Sequence, residues 1–323
     1  MLEKLATFSS RETRLNEHFR KDFWSLAREQ KGYYSWAKRN FWCLYRAIGG
    51  SCRGRCPYID NPDPQQLVDQ QFGEGLGGHP LLDCVFEGLA RVESRFALRF
   101  IPQRSHEEPL TGALLSEIEA CLFLMRDAFQ SLSLQRYGKA LGIDFLHYDL
   151  SRGGKMERDP GDDLAIILSI DRPDMPRQLR NAPFKAKKVN GSVSILKDQY
   201  QTLSTQFGYA GAYLFYDINS QTALPPMVVP ASNLKAQVDA DPKTSSSNIS
   251  QRDVENGLPL SLWLLTRVVK GDVGTSARSF HKAMNKFSDG PMNQGRMAVF
   301  SIGRPIALQT NNDNGLTLDF GAA

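Results

Sequence analysis

One stretch constrains the fold more than any other: Leu164-Ala-Ile-Ile-Leu-Ser-Ile170, a run that is apolar except for Ser169. Asp162 and Asp163 precede it and Pro173 follows, so the run is too short for an ordinary helix. Its β-branched content and its turn-forming flanks read as a strand buried on both faces. Such a strand needs a layer above it and a layer below it, which predicts an α/β architecture.

The flanking sequence agrees. Leu114, Leu115, Ile118, Cys121, Leu122, Met125 and Phe129 recur at helical spacing and predict a helix from Thr111, as N-cap, to Tyr137, with Gly138 as its stop. Phe184 to Val189 predicts a second strand. Ile195 to Phe207 predicts a helix with Leu196, Tyr200, Leu203 and Phe207 on one face, and Ala212 to Tyr216 a third strand. The order over residues 111–216 is therefore helix, strand, strand, helix, strand, a mixed sheet flanked by helices. Upstream, residues 10–48 read as helical, 51–64 as a loop, and Leu81 to Leu98 as a further helix. Downstream, residues 240–252 read as a polar loop, with a helix near Leu260 to Val269 and short strands around it. Three regions follow: a basic, aromatic, mostly helical part (1–105), an α/β core (106–220) and a C-terminal extension packing on the core (221–323).

The chain is 41% hydrophobic and 23% charged, enough apolar material for a core, which excludes collagen-like and disordered classes. Its net charge of +4 is small, but it is unevenly placed. Residues 1–58 hold 12 Lys/Arg against 5 Asp/Glu, a net of +7, and 11 of the 32 aromatics. Lysine and arginine neutralise phosphates and aromatics stack on bases, so this end suits nucleic acid. It equally suits an amphipathic bundle with its aromatics inside. No run approaches the ~18–20 apolar residues that span a bilayer. Met1-Leu2-Glu3-Lys4 has no apolar secretory core, so a cytoplasmic protein is expected. Cys52 and Cys56, with Cys43, suggest zinc, but a second pair at ligand spacing is missing and free thiols are expected. The glycines at 73, 75, 77 and 78 lack the Gly-Lys-Ser/Thr of a phosphate-binding loop.

The chemistry concentrates at Pro160-Gly-Asp-Asp163, which leads into the buried strand, and at Lys185-Ala-Lys-Lys188 on the next. A carboxylate at a strand start is held rigidly, and a lysine on the neighbouring strand can point to the same place. Glu117 and Glu119 lie on the preceding helix, two residues apart and so on different faces. Carboxylates bind Mg²⁺ through hard oxygen ligands. The ion lowers the pKa of a bound water and neutralises phosphate charge, and a lysine can position that water and stabilise developing charge. Taken singly, an Asp before a strand also serves as a turn residue, and a Lys-rich strand end protects an edge.

In this order the residues resemble the PD-(D/E)xK restriction-endonuclease-like family, and within it bacterial proteins with a Gly-Ala-Asp-Leu … Gln-Ala-Lys signature. The matching runs are Gly161-Asp162-Asp163-Leu164 and Phe184-Lys185-Ala186-Lys187, followed by Gln199-Tyr200 and Gly211 to Tyr216. The resemblance covers about a third of the chain, residues 110–216. It implies a metal-dependent nuclease, a hydrolase acting on DNA phosphodiester bonds with Mg²⁺ or Mn²⁺, and a role in defence against phage. Asp163 and one helix acid, Glu117 or else Glu119, with Glu117 preferred, would be the metal ligands, and Asp163, Glu117 and Lys187 the catalytic set with Lys187 as its lysine. Lys185, Lys188, Gln199 and Arg152 would contact nucleic acid. One position departs from the pattern. Lys185 stands where an acid or glutamine is expected, and a cation there cannot ligate a metal and would repel one, unless Glu157 or Asp162 compensates. The alternative is a nuclease fold without catalysis that binds nucleic acid or a partner subunit. The reading leaves room for a homo-oligomer.

Overall fold

The computed structural model describes residues 80–101, 106–149, 163–207, 211–218, 224–240, 243–268, 274–277, 296–303, 307–311 and 315–319. Two packed helices open it, α1 (Pro80–Arg99) and α2 (Glu107–Tyr137). Helix α2 starts four residues before the expected Thr111. Glu107 and Glu108 in its first turn favour the positive end of the helix dipole, and Pro109 is tolerated there because first-turn N–H groups lack helical partners. Thr111 is therefore not the cap. Its Oγ1 donates to the Glu107 carbonyl at 2.9 Å, inside the helix. The C-terminal end is as expected: Gly138 takes the left-handed conformation at φ 66° and donates its N–H to the Leu134 carbonyl.

Strands β1 (Gly142–Asp149), β2 (Asp163–Ile170), β3 (Gln178–Val189) and β4 (Ser192–Leu196) follow. Then come α3 (Lys197–Phe207), β5 (Ala212–Asp217), β6 (Met227–Pro230), a 3₁₀ turn (Ala231–Leu234) and α4 (Lys235–Asp239). The rest comprises β7 (Ser246–Ser250), α5 (Gln251–Glu255), β8 (Leu258–Pro259), α6 (Leu260–Leu262) running into a π-helical stretch (Trp263–Val268), β9 (Thr275–Ser276), β10 (Arg296–Gly303), β11 (Ala307–Asn311) and β12 (Gly315–Asp319). The main sheet has the order β1-β10-β2-β3-β5-β6-β8, with β9 beside β3. Neighbours β10/β2 and β3/β5 are parallel and the other pairs antiparallel. The protein is thus a mixed α/β fold with a mixed sheet and helices. Leu164 to Ile170 is buried along its whole length in the middle of that sheet, as its apolar run requires.

The stretch after residue 220 is part of this sheet: it supplies β6, β8, β9 and β10, and β10 lies between β1 and β2. Three local expectations change. Ile195 and Leu196 belong to β4, and α3 starts only at Lys197. The polar stretch 240–252 contains β7, which pairs with β4. Ser250 then caps α5 through a reciprocal bond pair with Asp253, a local geometry that Ser and Asp favour. The expected helix at 260–269 is three α-helical residues followed by a π-helical stretch, both anchored by buried Leu260, Leu262, Trp263 and Leu264.

The sheet has two unlike faces, because successive residues along a strand alternate. Leu164, Phe184 and Arg296 share a row on one of them. Helices α1 and α2 pack on that face. The Phe96 ring lies 5.6 Å from that of Tyr216, Tyr216 meets Thr111 at 2.9 Å, and Arg296 donates to the Glu108 carbonyl at 2.8 Å. Phe184 meets Trp263 edge-on at 5.0 Å. Burying aromatic side chains of this size contributes roughly 1.5–3 kcal/mol each.

Candidate functional site

Asp163 is the first residue of β2 and pairs directly with Lys185 of β3 in the antiparallel register. Cα atoms so paired lie about 4.5–5.5 Å apart. Lys185 in turn is level with Tyr213 of β5 in the parallel register. Positions 163, 185 and 213 therefore form one row across three strands, on the face opposite α1 and α2. Strand β3 continues past the first residue of β2, and its next residue on this face is Lys187, level with Phe215. The rings of Tyr213 and Phe215 stack at 5.7 Å, and both residues are fully buried. Lys185 is 6% exposed, whereas Lys187 is half-buried. Long lysine stems lie comfortably against such apolar rings while the ammonium stays at the polar end.

Lys188 belongs to the other face, level with Tyr216. Its backbone N–H lies beyond the start of β2 and donates instead to Glu107 Oε1 of α2 at 3.3 Å. Glu107 is thus the helix acid that reaches the lysine-bearing strand end. It was not among the expected residues, because the predicted helix began after it.

The two acids that were expected have other partners. Glu117 pairs with Arg95 of α1 at 3.1 Å, and Glu119 lies 2.8 Å from His147 Nδ1 of β1. Both pairs lie with α2 on the helix-bearing face, so Glu117 is not brought together with the row of positions 163, 185 and 187. Gln199 lies on α3, its Oε1 buried without a hydrogen-bond partner among the described residues. Arg152, Glu157, Asp162 and the cysteines at 43, 52 and 56 lie outside the described residues. Cys84 and Cys121 form no disulfide among the described residues.

A magnesium ion requires several oxygen ligands in near-octahedral geometry. The described side chains at these positions are Lys185, Lys187 and Tyr213, and an ammonium group has no lone pair with which to ligate a metal ion. Among the described residues no group of three or more His, Cys, Asp or Glu could hold a metal ion. No described helix is long and apolar enough to cross a membrane. Comparison with protein-family models, with curated proteins and with solved structures finds no match for this chain.

Proposed function

We propose that the chain is a nuclease-like protein of the PD-(D/E)xK type that engages DNA phosphodiesters at the shared end of β2 and β3. The observation that carries this reading is the register of Asp163 opposite Lys185, with Lys187 next on the same face beyond the start of β2. The element order α2, β1, β2, β3, β4, α3, β5 supports it as well, because it contains the helix, the two motif-bearing strands and a following helix and strand, with β1 and β4 in addition to what the resemblance implies. In this reading Lys187 meets a phosphate oxygen at the half-buried end of the row and stabilises charge that develops there. The activity that goes with the resemblance is hydrolysis supported by Mg²⁺ or Mn²⁺ at Asp163. The described residues do not complete such an ion site, so no step is routed through it.

A second reading is favoured by one residue. Lys185 puts a buried cation where a further metal ligand would stand, which suits a protein that keeps the fold and binds DNA without cutting it. A nicking assay on plasmid and single-stranded DNA, with Mg²⁺, with Mn²⁺ and with EDTA, separates the two. Cleavage by the wild type that Asp163→Ala and Lys187→Ala both abolish supports hydrolysis. Background cleavage together with salt-sensitive DNA binding supports the binding reading. Absence of both cleavage and binding removes both.

A further inference from the structure

We infer that the outer face of α2 is a docking site for this chain's own residues 34–48, which lie on it as an amphipathic helix. The docking is independent of the DNA reading above, and it assigns the aromatic N-terminal region to packing.

Ala120, Phe123, Leu124, Asp127 and Leu134 recur at three-, four- and seven-residue spacing and share one exposed face of α2. Phe123, Leu124 and Leu134 are 60%, 81% and 54% exposed, and they are three of the four large apolar side chains exposed among the described residues. Single exposed apolar residues are ordinary, but three on one helix face mark a contact surface.

The N-terminal chain enters the fold beside this face. Arg95 of α1 pairs with Glu117 of α2 at 3.1 Å, and Cys121 Sγ lies 3.5 Å from the Gly88 carbonyl, so the two helices run antiparallel. The same register puts Pro80, where α1 begins, level with the turn of α2 that precedes Leu134. Before Pro80, the residues Tyr34, Ala37, Phe41, Leu44, Tyr45 and Ile48 recur at helical spacing, an apolar face over 15 residues that stops at Gly49-Gly50. The α2 stripe from Ala120 to Leu134 is also 15 residues long, about 22 Å in a helix. Residues 49–79 are long enough to join the two, at up to ~3.3 Å per residue.

Charge selects this occupant over a second copy of α2. Asp127 is exposed in the middle of the stripe and forms no ion pair among the described residues. Residues 34–48 hold Lys38, Arg39 and Arg46 and no acid, so their helix brings cations to that carboxylate. In a two-fold antiparallel pairing of α2 stripes, the two Asp127 residues would instead come within about 6 Å of each other along the axis, and like charges so placed repel. Because residues 34–48 are tethered to α1, their docking is intramolecular and has a high effective concentration.

The test is photo-cross-linking of the full chain with benzoylphenylalanine in place of Leu124. The control carries it in place of Leu196, an exposed apolar residue of β4. Light and isotopically heavy chains are mixed before irradiation. Position 124 is expected to couple to peptides from residues 34–48 of the same chain, and position 196 is not. Heavy–light pairs at position 124 would mean that a second copy occupies the face. Coupling to another segment only, or none, would mean that residues 34–48 do not. Equal coupling from position 196 would mean unspecific contact. Each of these outcomes overturns the inference. A second readout is tryptic cleavage of the full chain carrying Leu124→Lys and Leu134→Lys together, both at exposed positions. Cutting at Lys38, Arg39 and Arg46 is expected to be about tenfold faster than in wild type, because cleavage follows the population of the undocked segment. Equal rates in a folded variant overturn the docking as well. Should the variant fail to fold, the cross-links still decide.

Discussion

Ser261 donates both its backbone N–H and its hydroxyl to the carboxyl group of Glu93, at 2.7 and 2.5 Å. Each residue is 1% exposed. The contact joins α1 to the first turn of α6, the segment that positions Trp263 against Phe184. Burial pushes the Glu93 carboxyl up from 4.5 to about 8, and the bonds from Ser261 pull it only partly back. At neutral pH the group is therefore largely protonated.

A pH dependence of stability follows. Between pH 4.5 and about 8 the folded protein holds a proton on Glu93 that the unfolded chain has released. Stability rises with pH only where the unfolded state binds more protons, so here it falls as pH rises, by up to ~1.4 kcal/mol per pH unit from this group. Urea unfolding at several pH values between 5 and 8 should show the decline for wild type, and Glu93→Gln should flatten it. A decline of the same slope in Glu93→Gln would assign the effect to other groups.

Thr111 and Tyr216 make a second buried link, and its polarity predicts an order of mutational cost. The Thr111 hydroxyl donates to the Glu107 carbonyl, so at 2.9 Å it accepts from the Tyr216 phenol. Burial pushes that phenol up, keeping it a proton donor across the neutral range. Tyr216→Phe removes one bond and leaves the threonine satisfied, at a cost of about 0.5–1.5 kcal/mol. Thr111→Val strands a buried phenol without an acceptor, at a cost of about 1–3 kcal/mol. Denaturation of both variants should place Thr111→Val as the less stable. The reverse order would contradict this assignment of donor and acceptor.

These links show which parts of the fold were legible in the sequence. The Leu164 to Ile170 run named its own strand because every residue in it is apolar or small, a pattern that depends on no partner. Gly138 likewise announced the end of α2 through a backbone conformation that glycine adopts easily. Strand β1 was harder to see. Its Asp144 and His147 are polar because Arg126 and Glu119 of α2 partner them, and those contacts are remote in sequence. Strand β10 was invisible as a neighbour of β2, since its insertion is a fact of topology and not of composition. The site was legible in part. The Asp and Lys runs were readable, but the row that aligns Asp163 with Lys185 and Tyr213 depends on register. Glu107 was missed because Thr111, a residue type that often caps helices, marked a later helix start.

Gly112 and Arg296 form a third testable pair. A Cβ on Gly112 would clash with Arg296 Nη1, the atom that donates to the Glu108 carbonyl at 2.8 Å. Gly112→Ala gains about 1 kcal/mol of helix propensity but forces the guanidinium away from a charge-assisted bond contributing roughly 1.5–3 kcal/mol. A net loss of about 1 kcal/mol is expected. In an Arg296→Ala background nothing remains to be displaced, so the same alanine should stabilise. A double-mutant cycle by chemical denaturation measures this change of sign, and strict additivity would rule out the contact as its cause.

Adjacent lysines on β3 supply the sharpest check on the proposed DNA face. Lys187 lies on the same face as Asp163 and Lys185, level with Phe215, whereas Lys188 belongs to the face that carries α2 and is level with Tyr216. The main-chain N–H of Lys188 is held by Glu107, a bond that truncating its side chain does not remove. Lys187→Ala should therefore weaken DNA binding and lower the slope of log affinity against log salt by about one, the signature of one lost phosphate contact. Lys188→Ala should leave both quantities near wild type, although the two residues carry the same charge and are similarly half-buried. Anisotropy titrations at three or more salt concentrations distinguish them. Equal losses in the two variants would mean that DNA responds to the general charge of the strand end, and the assignment of a binding face would then fail.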